Sequence, residues 1–221
     1  MTLHPMRPAT ALLALSGLWL AALPAAHAGE AYVNVGFPGV MAGYAQAVTD
    51  LVTLRGDFAT MGSRGKDGVE EGIEYKGSFK ANRVGLFADY FPLGNSFRLT
   101  GGVTFNNVKI DLKSNFQGGT VDIGGTPVTV SNTDYFNVEV KFPKTTPYLG
   151  IGWGHLDQAP GWGLVADLGV SIGKAKVSID TNLKDKGVTQ ADIDRETQEL
   201  RDGVGKLRVL PQASLGVSYR Y

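Results

Sequence analysis

From Leu207 to Tyr221 every second residue is apolar or aromatic. Leu207, Val209, Pro211, Ala213, Leu215, Val217, Tyr219 and Tyr221 alternate with Arg208, Leu210, Gln212, Ser214, Gly216, Ser218 and Arg220. Side chains of a strand point alternately to opposite faces, so this stretch carries one apolar face and one mostly polar face. The pattern recurs upstream. Phe97, Leu99, Val103 and Phe105 oppose Arg98, Thr100, Thr104 and Asn106, and Val52, Leu54 and Phe58 oppose Thr53, Arg55 and Asp57. Trp162, Leu164, Ala166, Leu168, Val170 and Ile172 oppose Gly163, Asp167, Gly169, Ser171 and Gly173. A chain patterned in this way builds sheet with two unlike faces, and its fold is decided by which face is hidden.

The alternation predicts eight strands, near 30–37, 40–47, 51–62, 73–91, 96–112, 144–156, 162–180 and 206–221, the first two joined by a tight turn at Pro38-Gly39. Short connections (Val48–Asp50, Pro92–Asn95, Asp157–Gly161) then alternate with long or charged ones (Gly62–Gly72, Lys113–Pro143, Thr181–Gly205). Short turns at one end and long loops at the other are the asymmetry of an outer-membrane barrel. Thr120–Val130 reads as a hairpin about Gly124-Gly125. Thr189–Asp202 reads as a short helix in the last long loop, with Thr189 as cap, Asp192 three residues on and Gly203 as stop. Ile193, Thr197, Leu200 and Val204 give it a narrow apolar face, and its charged surface marks a solvated helix resting on the rim.

A soluble barrel would show the same alternation with the apolar face inward. Two features favour the inverted arrangement. Long charged side chains, such as Lys66, Glu70, Lys109, Lys113, Glu139, Lys174 and Lys176, gather in loops and loop-side strand ends, while mid-strand polar positions hold Gly, Ser, Thr and Asn with a few Arg and Asp. Aromatic residues gather at the short-turn end: Tyr32, Tyr44, Tyr90, Phe91, Phe97, Trp153, Trp162, Tyr219 and Tyr221. Membrane barrels carry such girdles where lipid meets water. In hydrocarbon no sheet edge can stay unpaired, so the first strand is expected to pair with the last.

The N-terminal segment reads differently. Arg7, the apolar run Ala9–Leu23 and Ala26-His27-Ala28 have the order of a signal peptide, so Met1–Ala28 is expected to be removed and Gly29–Tyr221 to form the barrel. Beyond it no apolar run approaches the roughly 20 residues of a spanning helix. Arg7 is the only charge in that segment, which leaves 20 basic against 21 acidic groups and argues against nucleic acid as a partner.

Little in the chain points to catalysis or to a bound cofactor. There is no Cys, and His155 is the one histidine outside the signal segment. The usual His/Cys metal sets and a thiol nucleophile are therefore excluded, and His155 reads as an interfacial side chain beside a short turn. Gly150–Gly154 opens no helix, Gly203–Lys206 lacks the Ser/Thr of a phosphate loop, and Lys66–Glu71 lacks calcium-loop spacing. The distinctive chemistry lies inside. By alternation Arg55, Asp57, Arg83, Asp89, Arg98, Asp167, Arg208 and Arg220 face the lumen as a charge network. Eight strands enclose just enough space for side chains to fill, so the network is expected either to lock into a plug or to stay partly hydrated and pass small solutes.

Several runs resemble the CarO-like proteins, small eight-stranded barrels of Gram-negative bacteria. Lys141–Gly154 (Lys-Phe-Pro-Lys-Thr-Thr-Pro-Tyr-Leu-Gly-Ile-Gly-Trp-Gly) is similar to their sixth-strand motif. Gly161–Gly169, the acidic Gln190–Glu196 and the ending Val217–Tyr221 are similar too. The resemblance spans Gly29–Tyr221 and implies an outer-membrane location, and in some relatives uptake of basic amino acids such as ornithine. It implies no residue-level substrate site. The reading from sequence is an outer-membrane barrel passing small solutes. Its rival is a non-conducting structural or surface-interaction barrel acting through its loops. The expected partners are the bilayer and, through the C-terminal aromatic strand, the barrel-assembly machinery.

Overall fold

A computed structural model describes residues 29–70, 73–156, 159–203 and 208–221. The signal-peptide expectation for Met1–Ala28 lies outside them, as do Val204 of the helix face and the side chain of Leu200.

The strands are β1 (Gly29–Phe37), β2 (Gly39–Thr49), β3 (Val52–Glu70), β4 (Ile73–Tyr90), β5 (Phe97–Asn115), β6 (Gly119–Ile123), β7 (Thr126–Val130), β8 (Phe136–Lys141), β9 (Thr145–Trp153), β10 (Gly161–Ile172), β11 (Lys176–Thr181) and β12 (Val209–Arg220). A 3-10 turn at Leu183–Lys186 and the helix α1 (Gln190–Gly203) precede β12. Eight of these strands close a ring in the order β1-β2-β3-β4-β5-β9-β10-β12, every pair antiparallel. The first strand pairs with the last from Glu30↔Arg220 to Phe37↔Ala213, which removes the free edge.

The eight-stranded barrel and the late helix match the expectation, but the long-loop end is more structured than the alternation predicts. Most of the predicted loop Gly62–Gly72 is strand instead: β3 and β4 remain paired up to Glu70↔Ile73, Lys66–Glu70 included. The predicted sixth strand is β9, but the loop predicted before it ends in a further strand, β8, and the predicted seventh strand is broken in two. Phe142-Pro143-Lys144 separates β8 from β9, and β10 stops at Ile172 before β11 begins at Lys176. Proline lacks the N–H that a ladder needs, which accounts for the first break. Above the breaks β8 pairs with upper β5 and β11 with β8, extending one side of the barrel beyond its rim.

A small apolar core sits against this extension. Phe116, Ile123, Val128, Val130, Phe136, Val138, Val140, Val177, Leu183, Val188 and Ile193 pack together from the β6–β7 hairpin, β8, β11, the 3-10 turn and α1. The helix is therefore solvated on its outer face, as expected, but anchored on the other. Ile193 is buried, and the helix start is stitched to the hairpin turn: Thr126 Oγ1 donates to Asp192 Oδ1 (3.1 Å), the Gly124 amide donates to Glu196 Oε2 (3.1 Å), and Arg195 donates to the Gly124 carbonyl. Thr189 and Asp192 cap reciprocally, the Asp192 amide donating to Thr189 Oγ1 and the Thr189 amide to Asp192 Oδ2. Gly124 has φ +58, and a Cβ there would collide with the Asp192 carbonyl.

Candidate functional site: the filled lumen

Burial in the barrel is inverted. Leu54, Phe58, Leu86, Leu149, Ile151, Leu164, Leu168, Leu215 and Val217 are exposed on its outer face, while Arg55, Arg83, Arg98, Asp89 and Asn34 are buried inside. A water-soluble barrel would do the reverse.

The inward side chains form tiers. At the turn end Glu30 accepts from Arg220 and lies 3.0 Å from His155 Nδ1. In the middle Asp89 and Asp167 hold two guanidinium groups. Arg55 donates through Nε and Nη2 to Asp89 and through Nη2 to Asp167 Oδ1 (3.1 Å). Arg98 Nη2 donates to Asp167 Oδ1 (2.6 Å), and its Nε lies 3.4 Å from Asp89 Oδ1. Thr100 Oγ1 donates to Asp89 Oδ1 (2.6 Å), and Asn34 Nδ2 donates to Asp167 Oδ2 (3.3 Å). One tier higher, Arg83 Nη2 meets both Asp57 carboxylate oxygens (2.8 and 2.7 Å), and its Nη1 donates to Gln212 Oε1 (2.6 Å). The top tier is neutral: Thr104, Thr146, Ser171, Asn106 and Gln212 share hydroxyl and amide hydrogen bonds of 2.7–2.9 Å.

Aromatic side chains fill the remaining width. Phe87 lies under both Arg55 (5.1 Å to the ring centre) and Arg83 (5.3 Å) and packs edge-on against Tyr148. Tyr32 stacks obliquely on His155 at 4.8 Å. Inward glycines make these positions possible. A Cβ on Gly152 would come within 2.5 Å of Arg98 Cζ, and one on Gly169 would strike the Tyr148 hydroxyl. Part of the high glycine content is thus a space requirement of the plug.

Of the eight residues read as a lumen network, the structure brings together Arg55, Asp57, Arg83, Asp89, Arg98 and Asp167, and places Arg220 at the turn end with Glu30. Arg208 is exposed and apart from them. It precedes the first residue of β12, where strand alternation no longer fixes a side chain's direction. Glu30 was missed, although it shares parity with Tyr32 and Asn34 opposite Val33 and Val35. With it, four Arg face four carboxylates.

The girdle also needs correcting. Tyr44, Tyr90, Trp153, Trp162, Tyr219 and Tyr221 are exposed at the turn end as expected, with Trp162 and Tyr219 5.2 Å apart. Tyr32 and Phe91 instead are buried, because both have inward parity. His155 is not interfacial but 4% exposed, held by Glu30 in a turn whose carbonyl accepts from Thr53 Oγ1. Among the described residues no three His, Asp or Glu gather as a metal-ligand set.

A closed antiparallel barrel with an apolar outside and an ion-paired inside is the architecture of a membrane-spanning barrel. Its fold is that of the CarO barrels. The chain is similar to Acinetobacter baumannii CarO2, with a TM-score of 0.58 and 18% identity over 88% of this chain and 98% of that one. It is also similar to Acinetobacter baumannii CarO, with a TM-score of 0.54 and 16% identity over 87% and 97%. No protein-family model matches the sequence, and no curated protein matches it.

Proposed function

We propose that this chain is an integral outer-membrane barrel whose lumen is closed by its own side chains in the state described, and that its long-loop lobe presents the surface available to partners. The inverted burial supports the membrane location: exposed Leu, Ile, Val and Phe around the barrel demand hydrocarbon as their solvent. The same inversion supports the closed lumen. Arg98 has no exposed surface, Asp89 has 1%, and each guanidinium is matched to a carboxylate, so a solute must part buried ion pairs to pass. The exposed aromatic residues of β12, Tyr219 and Tyr221, support recognition of the C-terminal strand by barrel-assembly machinery.

The second reading is passage of a basic amino acid such as ornithine or arginine. Asp167 favours it. At 12% side-chain exposure it is the least buried lumen carboxylate, and it already binds two guanidinium groups that an incoming cation could replace. Conductance of the refolded protein in a planar bilayer, with and without ornithine or arginine, separates the two. Silence from folded protein is expected. Reproducible openings altered by the amino acid would overturn the closed plug and establish passage.

A further inference from the structure

On the outer face of the long-loop end, register aligns four lysines on four neighbouring strands. Lys80 of β4 pairs with Lys109 of β5, Lys109 with Lys141 of β8, and Lys141 with Lys176 of β11. The adjacent residues Ala81, Val108, Val140 and Val177 are all buried on the inner side, so the lysines share the outer face. Strands lie about 4.8 Å apart, which gathers the four Cα positions into a row roughly 15 Å long. Like charges directly opposite each other destabilise a sheet. Only part of this repulsion is relieved internally. Lys109 Nζ lies 2.7 Å from Asp111 and 2.5 Å from Glu139, and Lys141 Nζ lies 2.6 Å from Glu139. Among the described residues no carboxylate comes within ion-pair distance of Lys80, Lys176 or the nearby Lys144.

The row's height gives it meaning. Ten residues separate Lys80 from the girdle residue Tyr90 along β4. At about 3.3 Å per residue and a strand tilt near 40°, that is ~25 Å along the barrel axis, the height of a barrel's apolar band. Below the lysines comes the pair Asn82–Asn107, and below that Phe58, Val84 and Phe105. A depression of about 670 Å³ runs down this face, its upper part lined by Lys109, Lys141 and Lys144 and its lower part by Phe58, Val84 and Phe105.

We propose that this depression and the lysine row across its upper end bind a membrane lipid with a phosphorylated headgroup, the phosphates lying among the lining residues Lys109, Lys141 and Lys144 with Lys80 and Lys176 flanking them in register, and an acyl chain lying along Phe58, Val84 and Phe105. Cationic clusters at the edge of a membrane's apolar band hold anionic headgroups in this way. A soluble anion would use only the upper half of the surface, whereas a lipid uses both, and among the described residues no other side of the barrel has four lysines in register. The assignment rests on the membrane reading and adds the identity of a bound lipid class.

The test uses the full chain refolded in phosphatidylcholine vesicles, with lipid A as the diphosphorylated probe. Binding is expected to weaken at least about tenfold in the Lys80→Gln/Lys141→Gln/Lys176→Gln variant, to weaken similarly with dephosphorylated lipid A, and to fall with added salt. Without lipid A the variant should be as stable as the parent or more so, because the repulsion in the row is gone. Equal binding by parent and variant, or indifference to the lipid's phosphates, would overturn the site. Competition by inorganic phosphate at concentrations comparable to the lipid would overturn the lipid assignment. Failure of the parent to enter phosphatidylcholine at all would count against the membrane reading instead.

Discussion

Leu168→Arg tests the inverted architecture at its most sensitive depth. Leu168 lies on the outer face of β10, 58% exposed, between Ile151 and Ala213 on the neighbouring strands. Six residues separate it from the girdle residue Trp162 and six from Lys174 near the lysine row. At about 3.3 Å per residue and a tilt near 40°, each distance is ~15 Å along the axis, which is mid-depth in hydrocarbon about 30 Å thick. An arginine on the lipid face costs about 2–4 kcal/mol at the midplane and about 0–1 kcal/mol near the interface. Ile172→Arg supplies the contrast, because Ile172 is also on the outer face and only two residues from Lys174. Denaturant titration in vesicles, read by gel mobility of the folded barrel, should place Leu168→Arg at least about 2 kcal/mol below the parent and Ile172→Arg within about 1 kcal/mol of it. Equal costs at the two depths, or no cost at Leu168, would refute the lipid-facing assignment.

Arg83→Met should destabilise the barrel by about 3–5 kcal/mol in the same titration, because Asp57 is left charged and buried, whereas Arg83→Met with Asp57→Leu should recover most of that loss. An additive double variant would show the pair to be no coupled unit. In the lobe, the hydrogen bond from Lys186, helped by the Ser131 amide, holds the Asp134 carboxyl down at about 2. Its folded value lies below the unfolded one, so it stabilises the lobe above about pH 4, and that contribution is lost as pH falls through 2. Hydrogen exchange at 131–136 and 182–188 should accelerate across that window in the parent, and Asp134→Asn should remove the dependence. Gly124→Ala should push the hairpin turn away from Asp192 and expose α1 to exchange, at a cost of about 1–3 kcal/mol, while the barrel's gel mobility stays unchanged. Loss of the folded barrel in that variant would mean that lobe and barrel do not fold separately.

Strand number, ring order and the inward parity of most charges were legible because a membrane barrel imposes a strict two-residue period along each strand. Leu215 out and Ser214 in, or Leu168 out and Asp167 in, follow from counting alone. Counting fails where the strand ends. Arg208 is exposed there and joins none of the ion pairs, and His155, in a turn with φ +70, folds back into the lumen. Tyr32 and Phe91 show a different failure. Residue type marked them as girdle members, but position placed them inside, and position prevailed. The lobe was hardest to read, because β8 and β11 are stabilised by a small apolar core contributed by segments up to about eighty residues apart in sequence. Period-two patterns carry no record of such contacts. The hairpin and the capped helix were readable because their signals are local: Gly124-Gly125, and Thr189 with Asp192.

Glu30 changes the electrostatics of the lumen more than any other residue that alternation overlooked. Without it, and with Arg208 counted inside, five Arg would face three Asp, and a cationic solute would be repelled before sterics mattered. With Glu30 bound to Arg220 and the exposed Arg208 apart from the ion pairs, four guanidiniums meet four carboxylates. The barrier to a small cation then stops being one of sign. It becomes the cost of opening buried, hydrogen-bonded pairs inside a ring just wide enough to hold them, and each pair broken without replacement leaves an uncompensated charge. A basic solute is chemically suited to replace an arginine at its carboxylate as it passes, and an anionic one a carboxylate at its arginine, whereas an apolar solute can replace neither. The architecture therefore favours a closed lumen, in which every solute meets the same requirement: an ion pair must be parted, and a charge left behind must be matched.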